Sequence, residues 1–156
     1  MLGNPKYDGD LDGLVRQVRT ATALTPDLIR HVIKDTGIRL AALRYAGKET
    51  NIDRFIEAGA WCDVALALIE IELPAWSTRR LVNEDGEWFC SLTRQPNLPV
   101  ALDDTADASH QALPLAILGA FLEARRRISA VRDAGAPIVP QVRPASGCAI
   151  CCDNFA

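Results

Sequence analysis

The sequence predicts an α+β fold, a helix-hairpin-helix sandwich with a small antiparallel sheet and two extra N-terminal helices. Three observations carry this expectation. Apolar residues recur at helical spacing on both sides of a short central stretch; within that stretch the period drops from 3.6 to 2; and an Asp-Gly pair, Asp85-Gly86, sits where a tight hairpin turn belongs. A chain of 156 residues is long enough to bury one substantial core without disulfides or metal.

Taken in order, residues 1–9 carry Gly, Asn and Pro and read as a flexible lead-in. Asp10 is a candidate N-cap for a first helix, with Leu11, Leu14, Val15 and Val18 on one stripe. Thr25 before Pro26 opens a second helix with a good cap and a good first residue, and Ile29, Val32, Ile33, Leu40 and Leu43 form its stripe, with a bend or break at Gly37. Thr50 and Asp53 resemble a capping arrangement ahead of a long helix from about Ile52 to Leu73, which Pro74 stops. Phe55, Cys62, Leu66, Ile69 and Leu73 occupy one side of it and Trp61, Val64, Leu68 and Ile71 the other, the pattern of a helix buried from two directions.

Two strands follow, about 76–83 and 87–94, with Leu81 on the same face as Trp88 and Cys90, so that this face of the hairpin can rest on the central helix. Pro96 and Pro99 end the pairing, and the acidic connector at 97–110 has room for a short extended piece near Val100–Leu102. Pro114 starts a last helix whose stripe of Leu113, Ile117, Ala120, Ala124, Ile128 and Val131 runs to about Asp133, before Gly135 and Pro137. The domain is thus expected over 10–134, divided into a helical part at 10–50 and an α-β-β-α core at 51–134, with 135–156 as an extended tail.

Composition excludes some function classes. A net charge of −3 gives no general attraction to nucleic acid or anionic membrane, so such binding needs a local patch. No stretch approaches the roughly 20 apolar residues of a membrane span, and the start lacks the cationic and apolar regions of a signal peptide. The expected location is the cytoplasm, and five cysteines, an odd number, are expected reduced. There is no Walker loop, no G-x-G-x-x-G, no H-E-x-x-H and no G-x-S-x-G.

The least random feature is the tail "SGCAICCDNFA". Cys148 and Cys151 have the C-x-x-C spacing that reaches one zinc ion, and Cys152 or Asp153 adds a third ligand, one short of a tetrahedral structural site. Zinc through this tail is the one cofactor candidate; inert tail, metal site and reactive thiols stay open. Cys62 and Cys90 fall on apolar stripes and read as small buried hydrophobes. Asp103, Asp104, Asp107 and His110 gather before the last helix, a polar cluster able to bind a cation or position a base, or merely to complement the helix dipole. Cys90 with His110 as base is conceivable as a nucleophile pair, but Cys90 points to the expected core. Asp63 and Glu70 share a helix strip about 10 Å apart, long for a cooperating acid and base. Arg30, His31 and Lys34 follow a turn as a recognition helix does, and are the best nucleic-acid candidates in a chain whose acidity argues against that partner.

The segments "WCDVALALIEIELPAW", "GEWFCSL" and "LPLAILGAFLEARR" together resemble the small alpha-beta-alpha sandwich domains of phage-type proteins of unknown activity, over residues 60–128. The resemblance implies a fold and brings no catalytic motif. The expected function is a non-enzymatic interaction or adaptor module with a protein partner or a second copy. The alternatives are a thiol- or metal-handling protein acting through the cysteine tail, and a nucleic-acid binder using the N-terminal helices.

Overall fold

The computed structural model describes residues 10–135; the expected lead-in at 1–9, and the tail from 136 with its Cys148, Cys151, Cys152 and Asp153, lie outside the described residues. The described residues form a mixed α+β structure of six α-helices and a three-stranded antiparallel sheet. The helices are α1 (Leu11–Thr20), α2 (Pro26–Thr36), α3 (Ile38–Tyr45), α4 (Ile52–Glu57), α5 (Trp61–Glu72) and α6 (Leu113–Asp133). The strands are β1 (Ser77–Glu84), β2 (Glu87–Thr93) and β3 (Ala106–His110), in the order β1-β2-β3. No helix among the described residues is long and apolar enough to cross a membrane.

The first two helices start where their caps place them. Asp10 Oδ1 accepts from Gly13 N–H at 2.8 Å, and Thr25 Oγ1 from Leu28 N–H at 3.2 Å. Gly37 breaks the second helix, ending α2 and opening α3. A glycine has no side chain with which to cap α3, and the cap comes from far along the chain. Glu72, buried at the end of α5, accepts from Leu40 N–H at 2.7 Å and from Arg39 N–H at 3.1 Å. A carboxylate at the end of its own helix opposes that helix's dipole; here it serves the positive end of another.

The long helix expected over 52–73 is two helices. Gly59 takes φ 67°, and Ala60 N–H bonds to Phe55 O at 2.9 Å, so the chain turns out of α4 before α5 begins. The stripe joining Phe55 to Leu73 therefore does not exist as one face. Nor does the expected cap form: α4 starts after Asn51 without a side-chain cap bond, and Thr50 Oγ1 is buried without a hydrogen-bond partner among the described residues.

The hairpin is as expected, with Asp85 and Gly86 both at positive φ and Leu81 directly opposite Cys90. Its support differs. Cys90 and Leu92 of β2 and Ala106 of β3 are fully buried, and the sheet rests through β2 and β3 on α6 rather than on the 52–73 segment. Leu81 is left 36% exposed, because β1 is held chiefly by β2. The helix buried from several directions is α6, against which α1, α5 and the sheet all pack; Leu115, Ile117, Leu118, Phe121 and Leu122 are buried around much of its girth.

The connector also differs from expectation. Val100–Leu102 is a 3-10 turn, and the extended piece comes later, as β3. What holds the connector is an ion pair. The β1–β2 register skips Arg79, and from this bulge its guanidinium donates to Asp103 Oδ2 at 2.6 Å and to Leu98 O at 2.7 Å. Thr93 Oγ1 donates to the same carboxylate oxygen at 2.6 Å.

A candidate binding groove beside the edge strand

Three elements lie side by side at one end of the fold. The β3–α6 turn makes α6 run back along β3, while α1 places Asp12 near Arg126 and Ala21 beside His110, so α1 is antiparallel to α6 and parallel to β3. Between α1 and β3 is an open groove of about 760 Å³, within the size range of ligand sites. Val15, Val18 and Arg19 of α1, with Thr22 just beyond its end, form one wall, Asp107, Ala108, Ser109 and His110 the strand wall, and Leu115, Gly119 and Glu123 the floor. Glu87 and Phe89 of β2 extend the strand wall outward.

Gly119 sets how closely α6 approaches β3 beneath the groove. A Cβ at this position would stand 2.9 Å from the Cβ of Ala108, so only glycine lets α6 lie this close to β3. His110 closes one end. Its Nδ1 accepts from Ala112 N–H at 2.9 Å and its Nε2 is 2.9 Å from Ala21 O, so the ring is held as the Nε2–H tautomer with both nitrogens engaged. It ties the end of α1 to the turn entering α6.

Charge on the groove is unbalanced, with Glu87, Asp107 and Glu123 against Arg19. Glu123 lies 3.6 Å from Arg126 and 3.8 Å from Arg127. Glu87 accepts from Ser109 Oγ at 2.8 Å and Asp107 from Thr105 Oγ1 at 3.1 Å, and among the described residues neither of these two carboxylates is in an ion pair.

The acidic residues singled out in the sequence disperse. Asp103 is buried with Arg79, Asp104 pairs with Arg127, and Asp107 lies on the outer face of β3, with His110 on the opposite face of the strand. Among the described residues no group of three or more His, Cys, Asp or Glu side chains is placed to hold a metal ion. Cys90 and His110 do not meet as nucleophile and base. Cys90 is fully buried and pairs across the sheet with Ala108, and burial, with Asp107 adding to it, pushes its thiol up to about 11. Burial and then Asp63 raise the Cys62 thiol as well. Both cysteines therefore keep their protons at neutral pH, as the apolar stripes suggest.

Arg30, His31 and Lys34 all lie on α2, but not as an unopposed basic face. Arg30 is 3.2 Å from Asp27 and His31 is 3.3 Å from Asp35, while Lys34 borders a recess shared with Arg44, Asp53 and Glu57. Asp63 and Glu70 border a shallow recess beside Leu66 on α5. Phe89, Gly119 and Glu123 line the groove without standing out as site residues in the sequence. The one usable signal among them is Gly119, a lone glycine inside an apolar helix, which marks a close approach.

No known protein family, curated protein or solved structure matches this chain.

Proposed function

We propose that the chain is a non-enzymatic interaction module whose binding face is the groove between α1 and β3. The observation that carries this reading is an open, partly apolar groove with an acidic rim beside a sheet edge that no other strand among the described residues pairs with. The most reactive side-chain types near it are already committed: both nitrogens of His110 are engaged in holding the fold, and the Cys90 thiol faces the core.

The test is site-specific photocross-linking in cells, with a photoreactive phenylalanine at Thr22 in the groove or at Tyr45, which is 96% exposed on α3. The expected result is one discrete adduct from position 22 and none from 45, with the identified partner binding again in purified form and losing affinity to Asp107→Lys. Equal labelling from both positions would remove the groove from the proposal. Substrate turnover abolished by Asp107→Asn, with the fold intact, would replace the module with an enzyme.

A further inference from the structure

We infer that the groove takes an extended peptide of alternating aliphatic and basic residues, which joins the sheet as a fourth strand on the outer edge of β3. This rests on the groove being the binding face and adds the class of partner.

The two edges of the sheet differ. In an antiparallel edge strand alternate residues turn their backbone N–H and C=O groups away from the sheet, a template for another chain. The β1 edge carries a bulge at Arg79, a feature that disrupts further pairing. The β3 edge has none. Among the described residues no backbone hydrogen bond reaches it, and the space beside it is empty because α1 stands off across the groove. β3 is five residues long, so an incoming strand matches it over about 17 Å.

The pleat then sets the partner's chemistry. Side chains of an added strand alternate between the two faces of the sheet. Those on the inner face meet the half-buried Val15 and Ala108, with Val18 and Leu115 buried behind them, an apolar lining that suits aliphatic residues. Those on the outer face lie beside Asp107, with Glu87 one strand further on; among the described residues these carboxylates are in no ion pair, which suits lysine or arginine. The same charges argue against a second copy, whose β3 would bring its own Asp107 to this edge.

The experiment uses the full chain and a labelled peptide of about seven residues, valine alternating with lysine, followed by fluorescence anisotropy at low salt. We expect saturable binding with slowed amide exchange confined to Asp107–His110. A peptide with glutamate for lysine should bind at least about tenfold more weakly, and Asp107→Lys should narrow that preference. N-methylation of one alternate set of peptide amides should abolish binding while methylation of the other set is tolerated, because only one set faces β3. Equal binding of both methylated peptides would overturn strand addition. A dimer of the chain that the peptide does not disturb and Asp107→Lys dissolves would give the edge to a second copy and overturn the proposal. If the peptides fail while cross-linking at position 22 still finds a partner, strand addition falls and the binding face stands; if both fail, both fall.

Discussion

Replacing Glu72 by alanine should destabilise the fold through a helix more than thirty residues away. The carboxylate is buried, 4% exposed, and holds two amides at the start of α3, Leu40 at 2.7 Å and Arg39 at 3.1 Å. Hydrogen bonds to a charged group contribute about 1.5–3 kcal/mol each. Two at the lower end of that range give about 3 kcal/mol, because the Arg39 contact is only partly buried and desolvating the carboxylate already costs something in the native protein. In a chain of this size that lowers Tm by roughly 6–12 °C. Glu72→Gln keeps one accepting oxygen and should lose about half as much. Glu70→Ala, exposed on the same helix, is the control and should stay within about 0.5 kcal/mol. Thermal melts measure the totals, and amide exchange at Leu40 localises the effect. A shift for Glu72→Ala no larger than that of Glu70→Ala, or unchanged protection at Leu40, would refute the capping role.

Two further outcomes follow from buried groups elsewhere. Asp103→Ala leaves the Arg79 guanidinium, 17% exposed, without its carboxylate, and should cost about 3 kcal/mol in urea unfolding, whereas Glu84→Ala at the exposed Arg80–Glu84 pair should cost under about 1 kcal/mol; equal losses would deny the connector its anchor. The Cys90 thiol is pushed from its ordinary 9.0 to about 11, so below pH 9 folded and unfolded chains both hold the proton, and between 9 and 11 only the unfolded chain releases it. Stability should therefore fall as pH rises through this window, by about 2–3 kcal/mol by pH 11, and Cys90→Ala should flatten that part of the profile. Identical slopes for the two proteins in urea titrations from pH 8 to 11 would contradict it.

The local elements were legible in the sequence because their causes are local. Asp10 and Thr25 cap helices by bonding amides three residues on, and Asp85-Gly86 forces the hairpin by its backbone angles alone. Periodicity also placed Cys90 and Leu92 on the buried face of a strand. The errors have two origins. Phe55 and Leu73 fit a single stripe, but a stripe is a sum over residues, and a left-handed Gly59 ends a helix without disturbing it. β3 was missed because "ADASH" carries only a weak strand pattern of its own; it is a strand because β2 presents a free edge to it and α6 a surface beneath it.

The candidate site divides the same way. Composition alone determined that this is an acidic chain with a core large enough to stand without staples, and spacing determined where its helices and its hairpin begin. Only the tertiary structure decided that Arg79 reaches Asp103, that Glu72 caps a helix starting at residue 38, and that Val18, Asp107 and Gly119 surround one groove. Each joins residues between 12 and about a hundred positions apart. Sequence periodicity reports which face of an element is apolar, but which element covers that face, and where a gap is left, is set by packing among all of them at once.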